Sequence, residues 1–357
     1  MSYTNNKVTY LNTAAVGRLS EASIQAVQRF QNLSKSNPSG AFFDWMSNQL
    51  PLLREGIAKL VHTRAAQVAF TPNFSFSLLT IIHTLRPKMK KVLLFEDDYP
   101  SLNLPFELGG WEVSYLKSQD GWTVSIAEIQ RIIERDKIEV LAISHVQFLT
   151  GYTIDLEVLS AICQDKGVIL IVDTTQSMGA VEMNFDELQI DVMISSSYKW
   201  LNGGMGSAVM CIKEEFMQRF SPRIAGFGSM LHSEEGWTYT PSLKSYEPGH
   251  LNPIGLIQLQ QAVEERLKRG VLNVEQHNLS NLKYLSEQLS STSFKATGAH
   301  ELSNLSTILC FDADKIISDK LEEHDIIVTW RKGKIRVSPH FHNTPSDIDR
   351  LVQVLKE

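Results

Sequence analysis

Cysteine is scarce in this chain, and the scarcity removes several protein classes at once. Only Cys163, Cys211 and Cys310 occur among 357 residues. They lie too far apart for a C-x-x-C pair or a metal-finger spacing, so no metal site and no disulfide framework is expected. An odd count, with a polar start (MSYTNNKVTYLN) where a secretory signal is apolar, predicts a cytoplasmic protein. Long hydrophobic runs are missing too. Stretches such as residues 168–172 fall far short of the roughly 20 apolar residues that cross a bilayer, so no membrane partner is expected. Nor is there an excess of positive charge: 34 Lys and Arg stand against 40 Asp and Glu, a net charge of −6. Such a chain is poorly suited to neutralising many phosphates, which argues against nucleic acid. Repeats, low-complexity tracts and long charge runs are also absent.

What remains is ordinary globular material. Hydrophobic residues make up 43% and charged residues 21%, enough for a sizeable core. At about 150 residues per domain the length suggests two domains, or one large α/β unit with an appendage. Short apolar runs at 67–71, 91–96, 112–116, 140–144, 169–173, 192–196 and 207–212 read as strands. Several (VLLFE, VLAIS, ILIVD, VMISS) are continuously apolar, the pattern of strands covered on both faces in a parallel sheet. Helical segments at 20–33, 50–61, 75–85, 125–135 and 156–166 precede or separate them, so the class is α/β with a doubly wound sheet. Beyond a Pro-, Gly- and Ser-rich stretch at 241–253 the pattern changes. Helices at 253–268, 272–289, 314–323 and 346–355 accompany strands at 306–311, 326–331 and 334–338, a smaller α/β unit.

In open α/β sheets ligands bind beyond the carboxyl ends of the strands. The run 169–173 ends in Asp173, and Lys199 lies three residues past the run 192–196. Alone, each has an ordinary reading: a capping aspartate and a surface lysine. Together they supply the two charges that pyridoxal phosphate needs. A lysine holds the aldehyde as an imine, and a carboxylate keeps the ring nitrogen protonated. NGGMG at 202–206 precedes a strand instead of joining strand to helix, so it reads as a tight turn and not as a phosphate loop. The three cysteines read as small buried hydrophobes.

The segments VDTTQSMGA and SSSYKWLNGGMGSAVMCI resemble the class V aminotransferase family of fold-type I pyridoxal-phosphate enzymes, which includes cysteine desulfurases, kynureninases and isopenicillin epimerases. The likeness extends through YLNTAAVG, FTPNFSFSLL, EDDYPSLNLPF, HVQFLTG, SYEPGHLNPIG and KIRVSPHFHNT. It implies a large domain (20–245) with a mostly parallel seven-stranded sheet, and a small domain from 1–19 and 246–357. By position, Lys199 would carry the Schiff base, Asp173 would pair with the ring nitrogen and Gln176 with the phenolic oxygen. Tyr99 would face the ring; Phe74, Ser75, Ser196 and Tyr198 would cradle the phosphate. Arg336 would grip the substrate carboxylate, with Asn12 and Ala14 lining the substrate side and His145 near the cofactor. The resemblance also implies an amino-acid substrate and a homodimer whose active sites lie at the subunit interface. There His250 would reach the neighbour's phosphate, although the family commonly has Thr at that position and Arg where this chain has Ser245.

Desulfurases of this family carry a nucleophilic cysteine just before the carboxylate-binding arginine. Here that interval is TWRKGK, without cysteine. The expected reaction is therefore amino-group transfer. A lyase or epimerase using the same residues is the alternative, and a non-catalytic pyridoxal-phosphate-binding protein a more distant one.

Overall fold

The computed structural model describes residues 8–297 and 304–357; of the proposed small-domain segment 1–19, residues 1–7 lie outside it. After the short strand β1 (Thr9–Tyr10) come helices α1 (Glu21–Ser36), α2 (Pro38–Asp44) and α3 (Leu50–Leu60). Alternation follows: β2 (Val68–Thr71), α4 (Phe74–Leu85), β3 (Lys91–Phe95), α5 (Pro100–Leu108), β4 (Glu112–Leu116), α6 (Ile126–Asp136), β5 (Val140–Ser144), α7 (Leu156–Lys166) and β6 (Ile169–Asp173). Strands β7 (Val192–Ser196) and β8 (Ala208–Ile212), helix α8 (Glu214–Arg219) and the hairpin β9 (Met230–Ser233) and β10 (Gly236–Tyr239) come next. The chain ends with α9 (Pro253–Arg269), α10 (Val271–Leu289), β11 (Leu309–Asp312), α11 (Lys315–Glu323), β12 (Ile326–Ile327), β13 (Thr329–Arg331), β14 (Lys334–Val337) and α12 (Pro345–Lys356).

Seven strands form one sheet in the order β2-β8-β7-β6-β5-β3-β4. It is parallel except for β8, which runs antiparallel to both its neighbours. Strands β5 to β8 are buried at every position. Alternate residues point to opposite faces, and the core divides accordingly. Leu141, Ile143, Leu170, Val172 and Met193 join the layer that includes α3, α6 and α7. Val140, Ala142, Ile169, Ile171, Val192 and Ile194 join the layer that includes α4. This is the doubly wound arrangement the apolar runs predicted. No helix among the described residues is long and apolar enough to cross a membrane.

A three-stranded antiparallel sheet, β11-β14-β13, follows. The predicted strand 326–331 is in fact two. β12 pairs in parallel with β1, whereas β13 pairs with β14, because the chain changes partners at Val328. Helix α5 was not anticipated, since two prolines disguise it. Pro100 occupies the first turn, where no amide is needed, and Pro105 lies inside. Helix α8 has only six residues, too short for a periodic signal, and the β9–β10 hairpin was also missed.

The N-terminal segment reaches the carboxyl ends of the sheet. Gly17 donates its N–H to the Tyr198 carbonyl at 2.7 Å, and a Cβ there would collide with the carbonyl of Lys199. Gly17→Ala is therefore expected to destabilise the protein by about 1–3 kcal/mol, the usual cost of overpacking. Thermal denaturation of the variant checks this.

Candidate active site

Lys199 sits in the turn that leaves β7. Ser197 Oγ anchors that turn, 2.7 Å from the Gly204 carbonyl and 2.6 Å from Ser207 Oγ. Asn202 adopts a left-handed conformation with φ of 54°. From behind, Arg266 donates to the Trp200 carbonyl at 3.1 Å and to Asn202 Oδ1 at 2.6 Å. The glycine-rich stretch thus serves as a turn, as its position before a strand suggested.

The Lys199 side chain is 7% exposed. Its Nζ lies 5.4 Å from the centroid of the Tyr99 ring and 5.9 Å from that of Tyr198. Burial lowers its pKa to about 8; the Asp173 charge opposes this, and Arg336 and Arg331 add to it. Asp173 is equally enclosed, 6% exposed, and its Oδ1 accepts the Thr175 N–H at 2.8 Å. Burial raises its pKa to about 6, against the hydrogen bonds from Thr175. A desolvated ammonium and a desolvated carboxylate thus face one space.

That space is a cavity of about 130 Å³. The structure brings eight predicted residues to it: Phe74, Ser75, Tyr99, Asp173, Gln176, Ser196, Tyr198 and Lys199. Phe74 and Ser75 begin helix α4, capped by Asn73, whose side chain accepts the Phe76 N–H at 2.9 Å. First-turn amides lack intrahelical acceptors, and the helix dipole adds positive character. Gln176 is held on both sides. Its Nε2 donates to the Ala14 carbonyl at 3.1 Å, and its Oε1 accepts from Trp200 Nε1 at 2.7 Å. One amide hydrogen remains for a ligand.

Sequence reasoning missed Asn73, Ser101, Ser144, Phe148 and Thr175, which also line the cavity. It also missed Asp98, a buried carboxylate that accepts the Ser144 and Tyr99 N–H groups at 2.8 and 2.7 Å. Burial raises the Asp98 pKa. Its place after an apolar strand, like that of Asp173, was the available signal.

The remaining predicted residues surround the cavity or lie apart. Arg336 is buried; it donates to the Phe148 carbonyl at 2.7 Å, while its Nε has no partner. Ala14 N–H bonds Ser338 Oγ at 3.0 Å, and Asn12 Oδ1 accepts from Thr329 Oγ1 at 2.7 Å. His145 does not enter the cavity. Ser144 points there, and the next residue on a strand points the other way. His145 therefore bonds Ser177 Oγ at 2.9 Å and lines a separate cleft, where burial lowers its pKa to about 4. His250 is also away from this chain's cavity, exposed, with its ring 5.3 Å from that of Phe42.

An anion-accepting helix end, a lysine with depressed pKa and a buried carboxylate fit the phosphate, aldehyde and ring nitrogen of pyridoxal phosphate. Fold and site together define an enzyme whose active centre lies at the carboxyl ends of a parallel sheet. The family model described as aminotransferase class-V matches residues 9–351, and the chain belongs to that family. A probable cysteine desulfurase of Pyrococcus abyssi is 24% identical over 329 residues, covering 85% of this chain and 82% of the relative. An uncharacterized aminotransferase, YcbU of Bacillus subtilis, is 22% identical, covering 84% and 81%. Among solved structures, the cystine C-S lyase C-DES in complex with its product cysteine persulfide superposes with a TM-score of 0.87 at 18% identity, covering 99% of this chain and 98% of that one. A C-DES variant carrying glycine covalently linked to its PLP cofactor gives 0.90 at 18% identity, covering 99% and 97%.

The raised Asp173 pKa has a consequence for stability. Between pH 4 and 6 the folded protein binds a proton there that the unfolded chain releases, so this group makes stability fall as pH rises through that window. In the cofactor-free protein, Asp173→Asn is expected to remove that fall and to stabilise by about 1–3 kcal/mol at pH 7. Thermal melts of both proteins across pH 4 to 8 check the sign.

Proposed function

We propose that the chain is a pyridoxal-phosphate-dependent lyase that breaks a bond at the β-carbon of an α-amino acid without using a protein thiol. One observation carries the reading: all three cysteines are buried. Burial pushes the Cys163 and Cys310 thiols up to about 12 and raises that of Cys211 further. A nucleophilic thiolate needs exposure and a lowered pKa, so sulfur abstraction by a cysteine is unsupported. The residues around Lys199 nevertheless suit amino-acid chemistry, and the lyase alternative agrees with the relatives named above better than amino-group transfer does.

Pyridoxal phosphate, when bound, supplies an electron sink for the negative charge left when a bond at Cα breaks. The chain's own residues do the rest. Phe74 and Ser75 amides, with Ser196 and Tyr198, hold the phosphate. Asp173, ionised above about pH 6, keeps a proton on the ring nitrogen. Lys199 would hold the aldehyde carbon, and as a free amine its low pKa would let it take the Cα proton near neutral pH. Arg336 fixes the α-carboxylate through its planar fork. Enclosure by Tyr99 and Phe148 limits water.

Amino-group transfer uses the same residues and remains the second reading, favoured by the likeness to YcbU. Products separate the two. A lyase releases sulfide or another β-substituent, with no need for a 2-oxo acid acceptor; a transaminase turns over only when an acceptor is added. Lys199→Ala is expected to lower kcat by ~10²–10⁴-fold, whereas replacing all three cysteines by alanine leaves kcat within about twofold. Loss of activity in the cysteine-free variant, if it still folds, contradicts the thiol-independent reading.

The division into 20–245 and 1–19 with 246–357 belongs to this proposal, supported by the pairing of β1 with β12. So does the homodimer. Phe227 (82% exposed) and Leu231 line one groove with His250, and the exposed Trp237 ring lies 6.4 Å from that of Phe227, a patch of the kind that marks an interface. Sedimentation is expected to give a dimer, and Phe227→Asp to shift it toward monomer.

A further inference from the structure

The hairpin of β13 and β14 turns at Lys332 and Gly333, both left-handed, and sets Thr329 opposite Arg336 and Arg331 opposite Lys334. Side chains alternate along a strand, so Thr329 and Arg331 share one face and Trp330 takes the other. The contacts agree. Thr329 reaches Asn12, whereas Trp330 Nε1 donates to the Ala313 carbonyl at 2.9 Å. Arg331 lays its guanidinium over the Phe148 ring, 4.9 Å from the centroid.

Phe148 connects that arginine to the active site. Its ring meets the Tyr99 ring edge-on at 5.2 Å, it lines the cavity, and its carbonyl accepts from Arg336. Two guanidiniums therefore contact one aromatic residue of the cavity wall, Arg336 buried at its carbonyl and Arg331 exposed over its ring. The neighbouring cations are neutralised, Lys332 by Asp97 and Lys334 by Asp312. No carboxylate pairs with Arg331 among the described residues. Its charge is nevertheless felt at both Lys199 and Arg336. A guanidinium stacked on an aromatic face is oriented by the ring while its edge N–H groups stay free for a planar oxyanion.

We propose that Arg331 is a specificity-determining residue that binds a second anionic group on the substrate, selecting amino acids whose side chain ends in a carboxylate or a comparable oxyanion. The proposal rests on the reading of the cavity as an amino-acid site, with Arg336 on the α-carboxylate and Arg331 on the distal group.

The test compares pyridoxal-phosphate-loaded wild type with Arg331→Gln, an exposed position where the fold is not at risk. L-Aspartate and L-cysteine sulfinate are titrated beside L-alanine and L-cysteine, following the cofactor spectrum and KM. The variant is expected to raise Kd or KM for the acidic pair about tenfold, leaving the neutral pair within about twofold. Equal effects on both pairs, no effect on either, or no acidic preference in wild type overturn the proposal. Calorimetry with glutarate against butyrate decides the case separately from turnover. If no amino acid reacts, the lyase reading falls, but tighter binding of glutarate that Arg331→Gln abolishes still supports the distal anion site. Glutarate binding that is unchanged in the variant, or no stronger than that of butyrate, overturns it.

Discussion

Two opposite charges stripped of water, the Lys199 ammonium and the Asp173 carboxylate, set the terms for this structure. Burying either group is costly unless something compensates, and the attraction between them only partly does so. The fold tolerates the cost because rigid supports hold each one. Asp173 ends a strand buried at every position and is fixed by Thr175. Lys199 follows another such strand, in a turn fastened by Ser197, Arg266 and Asn202. The resulting pKa values, about 8 and about 6, leave a lysine able to act as a base and a carboxylate ionised at neutral pH. Function and instability share one origin here.

The C-terminal elements bring Arg336 and the N-terminal segment to this pair. Strand β14 carries Arg336 beside Ser338, and the parallel bridge between Asn12 and Ser338 delivers the N-terminal segment. Ala14 then bonds Gln176, which in turn bonds Trp200, the residue after Lys199. A chain of hydrogen bonds therefore links the N-terminal segment, the turn that follows β6 and the lysine loop. Family membership fits this plan, while the cysteines, buried in α7, β8 and β11, are not among the residues that line the cavity.

Much of the plan was legible because its signals are physical and local. Continuous apolar runs identified β3, β5, β6 and β7, and Asp173 and Lys199, ending or following two of them, marked the ligand end of the sheet. Single-residue reasoning left Lys199 and Asp173 ambiguous; their order in the chain made them a pair. Other features were hidden for definite reasons. Helix α5 carries prolines, and the break between β12 and β13 depends on which strand each finds as partner, which no local pattern records. His145 was placed near the cofactor by its position in the chain, but side-chain alternation after Ser144 turns it into another cleft. Asp98 and Phe148 acquire their place only when β3 and β5 lie side by side.

The central claim is that one buried amine and one buried carboxylate form the seat of an aldehyde cofactor. Borohydride reduction of pyridoxal-phosphate-loaded protein, followed by peptide mass mapping, tests it most directly. The account predicts a single phosphopyridoxyl label, on Lys199. A label on another lysine, or none in saturated protein, contradicts it.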